Sequence, residues 1–261
     1  VSKKGRRVLV IGDSQTQGVV NARETFSSVL EALLNEGRGR AVEVLNAGVG
    51  FTGPTCYLGT LRKRLELRPD LVLVVLFTGN DLADELVLDD LRLGREPPPT
   101  AVGYAARLAL AVTLDAGFVY QGGNQAFHFK SFPERTAEAV RAATVALDAI
   151  RTTCAEHGIS LVMALLPTKT DVDPWPASVS KALAALGLTE EEYAENLQAG
   201  RQILGALEGR GVTCVDLTAA LQARRGAVPL YWNRDHHLSV RGHRVVAEVL
   251  ARLPAFEKLR D

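Results

Sequence analysis

The sequence predicts an α/β domain with a parallel sheet of about five strands and helices on both faces. Two observations carry this. Short apolar runs rich in β-branched residues alternate along the chain with longer segments of helical spacing. The run Leu71–Phe77 (LVLVVLF) is apolar throughout, as expected of a strand covered on both faces.

Taken in order, Arg7–Ile11 (RVLVI) reads as the first strand and ends in Gly12-Asp13. In Glu24–Asn35 the apolar residues Phe26, Val29, Leu30, Leu33 and Leu34 fall at helical spacing. Val42–Asn46 is a second strand, Thr55–Leu67 is helix-like, and Leu71–Phe77 is the third strand. A helix opens over Asp81–Leu88, with Asn80 or Asp81 as its cap.

From about Asp90 to Pro133 the alternation breaks. Pro97-Pro98-Pro99, Gly117, Gly122 and Gly123 lie among scattered aromatics. The segment reads as an excursion from the core with one short helix at Tyr104–Val112. Regular alternation resumes with a long amphipathic helix over Glu134–Glu156 and a strand over Ser160–Leu166 that ends at Pro167. Glu190–Leu207 is a helix capped by Thr189, with acidic residues in its first turn. Val212–Leu217 is the fifth strand. Ser239–Leu253 is the closing helix, stopped by Pro254.

At 261 residues the simplest organisation is one domain, residues 1–261, interrupted by the excursion at about 90–133. Thirty basic and thirty acidic side chains leave a formal net charge of zero. That argues against nucleic acid or an anionic membrane as a broad electrostatic partner. No apolar run approaches the roughly 18–20 residues of a membrane span. Cys56, Cys154 and Cys214 are odd in number and widely spaced, so they form neither a disulfide framework nor a zinc motif and read as small buried hydrophobes. No signal peptide is visible. The chain starts at Val1 without a Met, which favours an exported protein with an upstream segment removed and leaves the cytoplasm open.

In parallel α/β sheets, ligands bind beyond the carboxyl ends of the strands. The first strand exits into Gly12-Asp13-Ser14-Gln15, the second into Asn46-Ala47-Gly48-Val49-Gly50, and the third into Thr78-Gly79-Asn80-Asp81. Asp235-His236-His237-Leu238-Ser239 lies just before the closing helix. These loops hold the groups that ester cleavage needs. A serine hydroxyl requires an adjacent base. An imidazole can take its proton and return it to the leaving group, and a carboxylate orients that imidazole. N–H donors must meet the oxyanion of the tetrahedral intermediate.

With these residues the sequence resembles the SGNH hydrolases, also called GDSL esterases. Gly12-Asp13-Ser14 matches the family's first block and Gly79-Asn80-Asp81 its third. Asp235-His236-His237-Leu238-Ser239 matches the Asp-x-His form of the last block, found in a branch that includes polysaccharide O-acetyltransferases. The resemblance runs from Arg7 to about Leu253, outside the excursion and the Ser178–Thr189 region. It implies a three-layer, flavodoxin-like α/β/α sandwich, with Ser14 as nucleophile, His237 as base and Asp235 as its orienting acid. The implied oxyanion hole is the Ser14 N–H, the Gly50 N–H and the Asn80 side chain. The second block is one residue shorter than the family's usual pattern, so Gly48 and Gly53 compete with Gly50. No metal or organic cofactor is implied. The expected partner is a small-molecule or carbohydrate ester.

Bland readings stand beside these. Asn80 can be a helix cap, and Asp13 and Asp81 read as structural. His236 neighbours the proposed base, and the Leu-Ser after His237 decides between them. His243 reads as surface or packing. His128, Tyr231 and Trp232 are ordinary loop or packing residues, or else walls of the substrate pocket. Gly48-Val49-Gly50-Phe51-Thr52-Gly53 is formally G-x-G-x-x-G, but the next strand ends in Phe77-Thr78-Gly79 with no acidic residue, against a dinucleotide site. The sequence therefore predicts a serine-dependent ester hydrolase for small acyl groups, with carbohydrate acetyl esters among its candidates. The rivals are an O-acyltransferase using the same residues, which the Asp-x-His spacing and Leu166-Pro167-Thr168-Lys169 resemble, and a non-catalytic carbohydrate-binding module.

Overall fold

Strand β1 (Arg6–Ile11) leads directly into a single helical turn, α1 (Ser14–Gln17). Helix α2 (Phe26–Leu34) returns the chain to β2 (Val42–Asn46), and α3 (Pro54–Arg64) to β3 (Leu71–Phe77). Helices α4 (Asp81–Leu93), α5 (Tyr104–Phe118), α6 (Asn124–Ser131) and α7 (Pro133–Glu156) precede β4 (Ser160–Leu166). Then come α8 (Lys169–Val172), α9 (Ala177–Leu186) and α10 (Glu190–Glu208), followed by β5 (Thr213–Asp216). The chain closes with α11 (Thr218–Ala223), α12 (Val240–Leu250) and α13 (Pro254–Glu257). These elements come from a computed structural model, which describes residues 5–37, 41–96 and 103–260.

All pairings in the sheet are parallel, in the order β2-β1-β3-β4-β5. The period-2 alternation of the strands sends side chains to two separate cores. Val8 and Val10, with Leu71, Leu73 and Val75, pack with α2 and α12 on one face. Leu9 and Ile11, with Val72, Val74 and Leu76, pack with α3, α7 and α10 on the other. This is the three-layer sandwich that the sequence predicts. From β1 the chain steps to β2 on one side and then to β3 on the other, so a crevice opens where β1 meets β3, at the carboxyl ends of the strands.

The excursion differs from expectation. Tyr104–Val112 was expected as its one short helix, but the helix runs on to Phe118, a wide turn covers 119–123, and α6 follows. Apolar spacing in the segment serves a third cluster that sequence order hides. Phe118, Val119 and Phe127 pack against Val179, Leu183 and Leu186 of α9, more than fifty residues later. The excursion and the Ser178–Thr189 region thus build one helical cap. Pro97-Pro98-Pro99 lies outside the described residues.

Cys154 is buried, Cys56 and Cys214 are half-buried, and all three are free thiols. Burial pushes the Cys154 and Cys214 thiols up to about 12. Among the described residues, no helix is long and apolar enough to cross a membrane.

Candidate active site

Ser14 begins α1 immediately beyond β1. Asp13 caps that turn, its Oδ1 accepting the Gln15 N–H at 2.9 Å. The turn presents Ser14 to the crevice, where its Oγ lies 2.9 Å from His237 Nε2. His237 Nδ1 faces Asp235 Oδ1 at 3.4 Å, and the same Oδ1 accepts the His237 backbone N–H at 2.8 Å. The Asp235 carboxylate therefore fixes the loop first and meets the ring at a distance longer than a normal hydrogen bond. Burial lowers the His237 pKa, and the Asp235 charge partly opposes that. The resting ring is thus neutral and fit to accept a proton near pH 7.

His236 and His237 diverge. His236 is buried, with a left-handed backbone (φ 61°), and its Nε2 faces Asp115 Oδ1 on α5 at 3.4 Å. Only His237 reaches Ser14.

The three glycines of the second block separate by their surroundings. A Cβ at Gly48 would sit 2.3 Å from the Gln17 backbone nitrogen, and one at Gly53 would sit 2.9 Å from the Asp81 carbonyl oxygen. Both pack against backbone. A Cβ at Gly50 would meet only the Gln17 side chain and Ser14 Cβ, at 3.3 and 3.5 Å. Gly50 is thus the glycine beside Ser14, and its N–H donates to Gln17 Oε1 at 3.1 Å. Asn80 holds the cap position of α4, yet its side chain makes no capping bond. Its amide donates instead to Asp84 Oδ2 at 2.6 Å, one turn on.

Ser14, Gly50, Asn80, Asp235 and His237 line one cavity of about 630 Å3. Its far wall comes from the cap: Ala116, Gly117, Tyr120, Gln121 and Asn124. Gln15 ties the parts together. Its Oε1 accepts the Leu238 N–H (3.0 Å), and its Nε2 donates to Gln121 Oε1 (3.1 Å) and the His236 carbonyl (3.4 Å).

Three expected pocket residues lie elsewhere. Tyr231 is fully buried in the core and donates its hydroxyl to the Pro167 carbonyl at 2.6 Å, because that side of the strand-like pairing with Leu238 faces inward. His128 packs between Phe129 and Phe132 on α6, away from the cavity. Trp232 is 40% exposed on a neighbouring shallow groove with Gly18, Val19, Asn21 and Glu24, and Val19 borders both depressions. His243 is buried. It stacks on Phe26 and accepts the Phe26 N–H at 3.2 Å, and burial pushes it down to about 4. Thr168 and Lys169 serve α8, Lys169 pairing with Asp173 at 2.7 Å.

Behind the nucleophile, Asp13 and Asp81 are fully buried. Asp81 Oδ2 accepts the Tyr57 hydroxyl and the Phe77 N–H, each at 2.8 Å. Burial pushes the Asp13 carboxyl up to about 7. Burial also holds Asp81 well above the usual carboxylate range, and the nearby Asp13 adds to the rise. Both anchor the loops, as their sequence positions suggest.

Residues that the sequence reading missed are Gln17, Asp84 and the cap wall. Gln17 and Asp84 each lie one helical turn beyond a recognised residue, which is the only signal they carry. The cap wall depends on packing between α5 and α9.

Residues 10–245 match the model of the GDSL-like lipase/acylhydrolase family. No curated protein matches the chain significantly. Among solved structures, the chain is similar to LAE5, an α/β hydrolase from the metagenome of Lake Arreo, Spain, at 15% identity and a TM-score of 0.53, covering 98% of this chain and 97% of that one. It is similar to an acetyl-xylooligosaccharide esterase of Geobacillus stearothermophilus at 15% identity and a TM-score of 0.52, covering 95% and 93%. It is also similar to the acetyl xylan esterase AlAXEase at 15% identity and a TM-score of 0.50, covering 94% and 97%. These likenesses are of fold.

Proposed function

We propose, for a chain that belongs to the GDSL-like lipase/acylhydrolase family of serine esterases, that Ser14 is the nucleophile and His237 the base in hydrolysis of small acyl esters of carbohydrates. One observation carries the assignment of roles: Ser14 Oγ and His237 Nε2 are 2.9 Å apart at the crevice between β1 and β3.

As Ser14 Oγ bonds to the ester carbonyl carbon, its proton passes to His237 Nε2. The carbonyl oxygen becomes an oxyanion facing the N–H groups of Ser14 and Gly50 and the amide of Asn80. The C–O bond to the alcohol then breaks, and the alcohol leaves with the proton from Nε2. Water adds to the acyl carbon and gives its proton to Nε2. Ser14 takes that proton back as the carboxylic acid departs. Asp235 keeps the imidazole turned toward Ser14 and stabilises it while it is protonated.

A carbohydrate as the alcohol half is supported by the Trp232 groove. Trp232 is 40% exposed there and offers an apolar surface, and beside it the Asn21 amide donates to Glu24 Oε2 at 2.7 Å, which leaves Asn21 Oδ1 and Glu24 Oε1 as acceptors for sugar hydroxyls. The acetylxylan esterases of similar fold act on substrates of this kind.

A fluorophosphonate probe followed by peptide mapping tests the roles. Labelling is expected on Ser14, and Ser14→Ala is expected to abolish ester cleavage. Folded protein that stays unlabelled at Ser14, together with an active Ser14→Ala variant, would overturn the mechanism.

A further inference from the structure

We propose that Asp115 is a positioning residue, acting through His236 to set the place of His237 and so coupling the helical cap to the catalytic loop. The inference rests on Ser14 and His237 being the reacting pair.

Helix α5 is broken at Asp115, whose backbone leaves the helical region (φ −159°, ψ 93°). The break turns one carboxylate toward three partners on three elements. Oδ1 accepts the Phe118 N–H at 2.9 Å and so restarts the helix. Oδ2 accepts the Ser178 hydroxyl of α9 at 2.9 Å. Oδ1 also lies 3.4 Å from His236 Nε2. The first two contacts hold the cap together; the third leaves it for the loop that carries His237. The Asp115 side chain is 7% exposed and that of His236 1%.

The loop side shows the matching features. His236 has a positive φ of 61°, which side chains with a Cβ rarely adopt and which persists only where the surroundings enforce it. The backbone at 236 is gripped from both ends. Its N–H donates to the Trp232 carbonyl at 3.1 Å, and its carbonyl accepts from Gln15 Nε2. A close approach supplies the third grip. A Cβ on Gly117 would lie 2.6 Å from both the Arg234 carbonyl oxygen and His236 Cδ2. The cap backbone thus touches the loop without an intervening side chain, one residue from His237.

The 3.4 Å contact is long for a hydrogen bond, and His236 Nε2 has no other hydrogen-bond partner among the described residues. Residues 116, 117, 120 and 121, which follow Asp115, wall the substrate cavity. The segment that walls the cavity is therefore the one that bears Asp115, and its contact with His236 links that wall to the loop carrying His237.

The test uses the full chain with Asp115→Ala, Asp115→Asn, His236→Leu, which removes the donor, and the double variant Asp115→Ala/His236→Leu. The readouts are kcat and KM on an aryl acetate, the rate of Ser14 labelling by a fluorophosphonate, and Tm. Asp115→Ala is expected to lower kcat and the labelling rate by about 10- to 100-fold, the scale of a displaced catalytic group, with KM changed less than about two-fold. His236→Leu is expected to do the same, and the double variant to be no worse than either single one. Asp115→Asn keeps an acceptor at Oδ1 and is expected to recover most of the loss. Additive losses in kcat would overturn the proposal. So would a lowered Tm with labelling unchanged below it. If Asp115→Ala does not fold, His236→Leu with normal kcat overturns it alone. A wild-type chain unlabelled at Ser14 would instead defeat the catalytic reading on which the proposal stands.

Discussion

The Gly50 N–H and the Gln17 side-chain carbonyl lie 3.1 Å apart, so a donor proposed for the oxyanion already holds a carbonyl oxygen of the chain itself. Gln17 is exposed, and turning it away costs about one neutral hydrogen bond, roughly 0.5–1.5 kcal/mol. Gln17→Ala removes that competitor. It is expected to raise kcat/KM on a small acetyl ester by about two- to ten-fold. A fall instead would mean that Gln17 donates to the oxyanion through its own amide.

Asn80 separates the roles of cap and donor. Its side chain caps nothing in α4 but bonds Asp84, so Asn80→Ala is expected to lower Tm by no more than a few degrees. Loss of one oxyanion donor lowers kcat by about 10²–10³-fold. A large fall in Tm with kcat per folded enzyme unchanged would make Asn80 structural.

With His237 as the proposed base, the acid limb of the rate profile tests its role. Burial lowers its pKa from 6.5, so kcat/KM is expected to fall only below that pH. Asp235 raises the His237 pKa, so Asp235→Ala should move the limb to still lower pH. The Asp235 side chain is 48% exposed and 3.4 Å from the ring. Water replaces it in part, and the expected loss of kcat is about 10- to 100-fold, less than for a buried triad carboxylate. A pH–rate series on both proteins checks the direction and the size.

Asp13 makes stability depend on pH below about 7. Its folded carboxyl titrates at about 7 against 3.8 when free. Between those values the folded state holds the proton more tightly than the unfolded one, so stability falls as pH rises through this window and is level above it. Asp13→Asn keeps the oxygen that accepts the Gln15 N–H and removes the buried charge. Its Tm is expected to match the wild type near pH 4 and to exceed it by several degrees above pH 7. Thermal melts at pH 4, 6 and 8 decide this, and equal Tm differences at all three would contradict it.

Substitution of Trp232 tests for a sugar ester against a simple one. Trp232→Ala is expected to lower kcat/KM on an acetylated xylooligosaccharide by about three- to ten-fold, the scale of one aromatic contact. On 4-nitrophenyl acetate the change should be less than about two-fold. Equal effects on both substrates would remove the groove from substrate binding.

Much of the fold was legible before any coordinates. The ranges 71–77 and 160–166 were readable because buried parallel strands need apolar runs and a glycine or proline soon ends them, and 42–46 because Val42 and Val44 alternate with Glu43, as suits a strand at the sheet edge. Ser14, Asn80 and His237 were readable because they sit at strand exits or beside the closing helix, and backbone topology sends those points to one edge of the sheet. The family resemblance favoured His237 over His236 through the Leu-Ser that follows, and of the two it is His237 that lies 2.9 Å from Ser14 Oγ.

Tertiary structure decided what depends on contacts between distant segments. Tyr231 and Trp232 are adjacent aromatics with equal claims on the pocket. Only packing shows that one is buried on Pro167 and the other borders the groove. Gly50 was one glycine of three until the neighbours of each were known. The cap escaped notice because α5 and α9 carry half of an apolar cluster each. Asp115 is an unremarkable aspartate in a helical stretch until the broken backbone brings it to Ser178 and His236. Periodicity reports which face of an element is buried. It does not report which remote element buries it, and that pairing builds the wall of this site.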